Sequence, residues 1–419
     1  MCFGLIGVVH SKAARAQMVL PYEVGQVLME RYVAVRDRRQ PDFKTEGIAL
    51  GAFQLFPSLQ LNSGYDDNVL AEKTDKNGDA FVEIQPSLNV QSQWSRNSLS
   101  FRARGTFDRY FTQSTDNTEA WDIGTAGEID IDRATRIRGG LIWQGNIESR
   151  QSASVFATTV KPVTYQTYGA GAGFTRDFVN LRSSTEITYL RMRYKNSQLD
   201  DGSFFDQGYR DNNLLRILER VSYAQSPSLA FFVQAKIDKR DYFEGSLGKP
   251  PRDSSELEIL TGATFEASFP MRGEIGVGYV RRTFKNDFYH NTSKLAVNAK
   301  VEVFPTELTT VTMIANRRSE DSGTPESGVS TFTEVGVTVD HELLRTLILT
   351  AKLDYNFTDA EDVDRHDRTY MANFGSSYKL SPHLTLNANY GYVKRASHGA
   401  QRFRNFTNNR LAVGLTLKR

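Results

Sequence analysis

Residues Gly51–Val69 read GAFQLFPSLQLNSGYDDNV. Every second residue from Phe53 gives Phe, Leu, Pro, Leu, Leu, Ser and Tyr, while those between are Gln, Phe, Ser, Gln, Asn and Gly. Successive side chains of a strand point to opposite faces, so this is a ribbon with one oily and one largely wettable face. An acidic turn, Asp66-Asp67-Asn68, follows it. The fold depends on what the oily face meets, a packed core or lipid.

The same alternation recurs almost to the end of the chain. Val82, Ile84, Pro86, Leu88, Val90 and Trp94 oppose Glu83, Gln85, Ser87, Asn89, Gln91 and Gln93. Leu99, Phe101, Ala103 and Phe107 oppose Arg102, Arg104, Thr106 and Asp108. Ile137, Leu141, Trp143 and Ile147 oppose Arg136, Arg138, Gln144 and Asn146, and the pattern closes with Leu411, Val413, Leu415 and Leu417. Period two sustained in this way means strands, about 18 of them and mostly about 12 to 16 residues long. A tilted strand crosses a bilayer in about 9–11 residues, whereas strands of soluble proteins run nearer 5 or 6. The length therefore favours lipid.

The connections alternate too. Short ones fall at Ser95-Arg96-Asn97, Arg133-Ala134, Gln225-Ser226-Pro227, Pro270-Met271, Phe304-Pro305-Thr306, Leu344 and Ser381-Pro382. Long ones fall at 67–79, 149–163, 197–208, 244–253, 320–329, 359–366 and 397–404. Outer-membrane barrels have tight periplasmic turns and long outer loops. An even strand count with a long first connection predicts that both termini are periplasmic. Tyr65, Trp94, Tyr110, Trp121, Trp143, Tyr223, Tyr279, Tyr355, Tyr378, Tyr390 and Tyr392 lie largely near strand ends, as an interfacial girdle requires. Pro57 is awkward, because a closed barrel has no free edge to excuse its missing N–H; a bulge, or a strand that starts just after it, is expected.

Composition narrows the function. The formal net charge of +2 gives no reason to expect a nucleic-acid partner. One cysteine, Cys2, excludes a disulfide framework and a cysteine-based zinc site. No run of about 18 apolar residues is present, so no transmembrane helix is expected. The start, MCFGLIGVVHSKAARAQ, has a short apolar run and Ala14-Arg15-Ala16 before Gln17 but lacks a basic beginning. Residues 1–16 read as a truncated signal peptide, 17–47 as a periplasmic segment, either a short helix or an arm entering the pore, and 48–419 as the barrel.

Arg38–Val69 carries Arg39, Pro41, Gly47, Phe53, Pro57-Ser58 and Gly64-Tyr65-Asp66-Asp67-Asn68. This set resembles the N-terminal signature of a family of outer-membrane β-barrel porins associated with bacterial exopolysaccharide loci. The rest of the chain is similar by strand pattern only. The resemblance implies export of a polysaccharide across the outer membrane of a Gram-negative cell. By architecture the chain also looks like the alginate export porin, which is fold analogy. The end, NRLAVGLTLKR, is similar to a barrel-assembly signal but lacks a terminal Phe and adds Lys418-Arg419.

A barrel of this size encloses an aqueous lumen whose selectivity is set by inward positions. The phasing puts Arg102, Arg104, Arg136, Arg138, Arg216 and Arg220 inside as pore-lining basic candidates, with Asp122, Glu128 and Asp130 as acidic ones. The basic group could form a ladder for an anionic polymer, or opposite charges could pair across strands and hydrate the wall; near-balance of signs slightly favours pairing. Arg102, Arg104, Arg136 and Arg138 form the best local basic patch, with the three carboxylates on the strand between.

Catalytic motifs are weak. His290, Asn291 and Ser293 are the residue types of a barrel phospholipase, but a spacing of three puts His and Ser on opposite faces. His366 sits in the acidic TDAEDVDRHDR, which lacks the spacing and glycine of a calcium loop and reads as solvated. GAGAGF, Gly169–Phe174, lacks the spacing of a dinucleotide fingerprint and reads as room for close strand packing. The expectation is an all-β protein, a transmembrane antiparallel up-and-down β-barrel of about 18 strands. It is not an enzyme, has no catalytic residues, cofactor or metal, and acts as a polysaccharide conduit. A general or small-solute porin is the alternative, and an outer-membrane enzyme or anchor the third class. Expected partners are outer-membrane lipid and lipopolysaccharide, the polysaccharide cargo, and periplasmic and inner-membrane export components.

Overall fold

The computed structural model describes residues 32–152, 159–199, 201–245 and 248–419. The expected signal segment, 1–16, and residues 17–31 of the expected periplasmic segment lie outside the described residues. Eighteen long antiparallel strands form the fold. They are β1 Phe53–Asp66, β2 Asp79–Ser92, β3 Ser98–Tyr110, β4 Thr118–Asp130, β5 Thr135–Ile147, β6 Thr164–Asp177, β7 Leu181–Tyr194, β8 Asn212–Ser226 and β9 Leu229–Tyr242. Then come β10 Ser254–Ala267, β11 Met271–Phe284, β12 Thr292–Thr306, β13 Thr309–Asp321, β14 Val329–Leu344, β15 Leu347–Ala360, β16 Arg365–Lys379, β17 Leu384–His398 and β18 Phe406–Lys418. Each pairs with its neighbours in sequence, and β18 pairs with β1, so the barrel is closed. Closure satisfies every strand edge within the chain, which a bilayer interior demands. The strands run 13 to 16 residues, ample for a tilted crossing.

The oily faces point outward. Leu141, Leu353 and Val413 each keep 58% of their surface uncovered, and Ile129, Val233 and Leu295 are exposed on the same face of their strands. A continuous exposed apolar band of this kind belongs against lipid. The buried side chains are predominantly polar or charged and lie on the opposite face. Trp121 meets Trp143 edge-on at 4.6 Å between ring centroids, and Trp143 stacks on Tyr168 at 6.1 Å, as part of the outer aromatic surface. Tyr110 differs from the girdle expectation. It shares the inward face of Asp108 and sits beside the fully buried Phe81.

One end of the barrel carries tight connections such as 227–228, 307–308 and 345–346; the other carries long ones such as 67–78 and 195–211. The connections 111–117 and 285–291 join the loop end and 178–180 the turn end, all three too weakly marked in sequence to be noticed. β1 starts and β18 ends at the turn end, where Arg419 N donates to Pro57 O at 3.1 Å.

Pro57 needs no bulge. On the β2 side the register is unbroken through Pro57↔Leu88, while pairing to β18 begins one residue later, at Ser58↔Lys418. On the seam side Arg419 N still donates to Pro57 O at 3.1 Å, so the proline accepts its rung there and lacks only the returning bond. Gly64 lies so close to β18 that a Cβ there would come within 1.9 Å of Leu411 O. The acidic turn then ties the seam. Asn68 Nδ2 donates to Thr407 O at 2.8 Å, Asn409 Nδ2 donates to Asp67 Oδ2 at 2.7 Å, and Asn408 donates to Asn68 O at 3.1 Å.

Candidate functional site

The register fixes the lumen wall. Residues directly opposite across a ladder share a face, and Arg104↔Asp122, Asp122↔Gln144 and Arg138↔Gly173 all lie on the side away from Ile123, Leu141 and Tyr168. Each of the six basic candidates reaches a carboxylate. Asp122 accepts from Arg102 at 2.9 Å and Arg104 at 2.6 Å, one carboxylate shared by two guanidiniums. Arg136 reaches Asp177 at 3.1 Å rather than Asp130, which lies directly opposite it. Arg138 stands 3.8 Å from Glu128. Arg216 and Asp238 make two bonds of 2.7 and 2.6 Å.

Arg220 spans two strands to hold Glu274 on β11 with bonds of 2.9 and 2.7 Å. Its guanidinium lies 3.7 Å from the centroid of Phe232, which packs with Leu260, Val280 and Ala296 as a small apolar patch of the inner wall. Next to the Arg138 sector, Gly169, Gly171 and Gly173 face Ile142, Gly140 and Arg138, leaving a strip of wall with few side chains. The inner wall is therefore a lattice of paired charges with a bare strip. Fixed ions hydrate such a surface, and a passing solute meets many weak partners instead of one deep site.

Loops fold across the loop end. Glu148, just after β5, binds Arg210 of the β7–β8 loop at 2.8 and 2.9 Å, and both are buried. Burial opposes the charge on Arg210, but the facing carboxylate of Glu148 holds its pKa well above the ordinary guanidinium value. Arg150 holds Asp116 of the β3–β4 loop at 2.8 Å and Val160 O at 2.7 Å. Arg395, on the inner face of β17, donates to Ser152 O at 3.1 Å. Arg252 of the β9–β10 loop donates to Ser322 O and Thr324 O, and Tyr209 OH to Gly323 O at 2.9 Å, so two loops grip the β13–β14 loop.

The turn end is narrowed by the N-terminal arm. It is extended apart from two 3-10 turns, Val35–Asp37 and Pro41–Phe43. Val35 N donates to Thr310 Oγ1 at 2.9 Å, and Arg36 reaches Asp340 at 2.7 Å and Thr350 at 2.9 Å. Arg38 reaches Glu342 at 3.3 Å, and Tyr32 stacks on Phe304 at 5.4 Å. All these partners lie on the inner wall of β12–β15. Gly47, at φ +73°, lets the chain turn from arm to barrel; a Cβ there would strike Leu55 O at 2.7 Å.

The residues singled out for chemistry go elsewhere. His290 Nδ1 binds Asp362 at 2.7 Å, while Ser293 lies across from the outward Arg281. In the acidic loop, His366 binds Asp359 at 2.7 Å, Asp362 caps Gly328 N, and Asp367 turns inward to Arg395. Sequence reasoning passed over the arm's Arg36, the loop arginines and Arg395. The alternation of β17 would have placed Arg395 inside; nothing local marks the others.

The family profile described as "Putative beta-barrel porin 2" matches residues 40–419. A search of curated proteins finds no match. Among solved structures, the chain is similar to OccK1 (OpdK) of Pseudomonas aeruginosa, at 9% identity and TM-score 0.46, covering 87% of this chain and 99% of that one. OpdL of the same organism gives 12% identity and TM-score 0.45, covering 88% and 99%. The FrpB iron transporter of Neisseria meningitidis gives 11% identity and TM-score 0.45, covering 82% and 62%.

Proposed function

The chain belongs to the putative β-barrel porin 2 family of outer-membrane barrels, and on that footing we propose that it is a passive, non-enzymatic conduit for a secreted polysaccharide. The observation that carries this reading is the lumen wall of shared and paired ions, typified by Asp122 between Arg102 and Arg104. Such a wall stays wet and offers a hydroxyl-rich chain many exchangeable hydrogen bonds without trapping it. The N-terminal signature adds the link to exopolysaccharide loci, through resemblance. In this reading the turn end, where β1 starts and β18 ends, faces the periplasm, so the arm narrows the entrance and the knitted loops narrow the exit. Cargo enters from periplasmic export components, and energy comes from them.

Deleting the gene and following newly made polysaccharide tests the reading. Accumulation in the periplasm with loss from the medium supports it; unchanged secretion overturns it. Uptake of small solutes is the second reading, and the loops tied across the loop end favour it. It predicts slower solute entry and unchanged secretion in the same deletion strain.

A further inference from the structure

The outer surface is charged unevenly. On β7, Arg191 and Arg193 continue the outward face of Ile187 and Tyr189 towards the loop end. Lys239 does the same above Ile237 on β9, and Arg281 above Tyr279 on β11. The register places them at neighbouring heights: Arg191 opposite Asn213, Lys239 opposite Leu215 and Ser255, and Arg281 opposite Leu257. The guanidiniums of Arg191 and Arg193 flank the exposed ring of Phe243 at 5.2 and 4.1 Å. Two carboxylates meet this group, Asp211 on Arg193 at 2.8 Å and Asp241 on Lys239 at 3.8 Å. Arg191 and Arg281 have no carboxylate contact among the described residues.

The turn end of the same sector is the opposite. Its outward strand positions on β7–β10 carry no Lys or Arg, and Phe178, Val179, Leu181, Tyr223, Phe231 and Phe269 are exposed there. The outward Arg176 of β6 reaches this turn-end surface, 5.9 Å from the Phe178 ring, but it is paired with Asp132 at 3.1 Å, so the cations free of carboxylate contact stand on the loop-end shelf above an apolar, Tyr-edged surface and meet whatever anion lies at that bilayer face. We propose that Arg191, Arg193, Lys239 and Arg281 form a docking surface for the phosphate groups of the phosphorylated glycolipid of the outer leaflet. Arginine's planar fork suits phosphate oxygens, and charge-assisted bonds at the edge of lipid are stronger than in open water. The acyl chains of the same lipid would cover Ile187, Ile237 and Leu257 below. This rests on the loop end facing outward, as in the proposed function.

The test compares the wild-type protein with the R191Q/R193Q/K239Q/R281Q variant. Since all four side chains are outward and hydrated, the variant keeps the barrel, as its heat-modifiable mobility reports. Both are exchanged into micelles with bisphosphorylated lipid A or its dephosphorylated form, and bound lipid is counted by native mass spectrometry. Wild type retaining the phosphorylated form tenfold or more over the dephosphorylated one, with that preference lost in the variant, is the expected result. Equal retention of both lipids, a preference surviving in the variant, or selective retention of an acidic polysaccharide in place of lipid would overturn the proposal. An epitope inserted at Gly202, probed on intact cells, reports the orientation separately: labelling with no phosphate preference sinks the docking surface alone, and no labelling sinks the orientation.

Discussion

Asn68 and Asn408, 340 residues apart, hold the seam where the last strand meets the first: the Asn408 side-chain amide donates to Asn68 O at 3.1 Å. Asn68 is fully buried, and its own amide bridges Glu72 O and Thr407 O at 2.7 and 2.8 Å. Replacing Asn68 with Ala strips these carbonyls of their donor, at a cost of about 1–3 kcal/mol for buried groups left unsatisfied. The expected outcome is a lower urea midpoint for loss of the compact, heat-modifiable form, with the β-sheet circular dichroism of the folded barrel unchanged.

That seam also shows what could be read from sequence. The turn Asp66-Asp67-Asn68 was legible as the end of a strand, and strand count and facing followed from period two, since one residue's slip would turn every side chain over. Its partner across the seam was not legible, because nothing near Asn68 marks Asn408. The same holds for Tyr209 with Gly323 and for Arg36 with Asp340, 114 and 304 residues apart. Pro57 is an odd residue for a strand, but only the pairing map shows an unbroken ladder to β2 on one side and the Arg419 N–H donating to its carbonyl on the other. Tyr110 was misread because a tyrosine near a strand end can serve the girdle or the lumen, and parity alone decides.

Asp122 neutralises one of the two guanidiniums it touches. Changing Asp122 to Asn leaves Arg102 and Arg104 unopposed and shifts reversal potentials under a salt gradient towards anions. Neutralising Arg102, Arg104, Arg136 and Arg138 together shifts them towards cations. Opposite signs are required; no shift in either variant would show that this wall does not line the conducting path.

The grip on the β13–β14 loop is local to the loop end. Arg252→Met removes the donor to Ser322 O and Thr324 O while leaving every strand pairing in place. Single-channel conductance is expected to rise and to fluctuate more, with an unchanged urea midpoint. A lowered midpoint with unchanged conductance would make this contact structural.

Arg36 pins the arm through Asp340, whose side chain is 7% exposed, while that of Arg36 is 32% exposed. Partial exposure screens the pair, so Arg36→Ala is expected to cost only about 1 kcal/mol. Its larger effect is on transport: loosening the arm widens the turn-end mouth. Conductance should increase, and removing residues 32–40 should increase it further.

The conduit itself is tested most directly by reconstituting the protein in a planar bilayer and adding the strain's own secreted polysaccharide to the turn-end side. The account predicts a steady ion current, interrupted by reversible blocks whose duration shortens as driving voltage rises, as a threading chain leaves through the far mouth. A current that the polysaccharide never interrupts, or blocks that lengthen with voltage because the chain cannot pass, would contradict it.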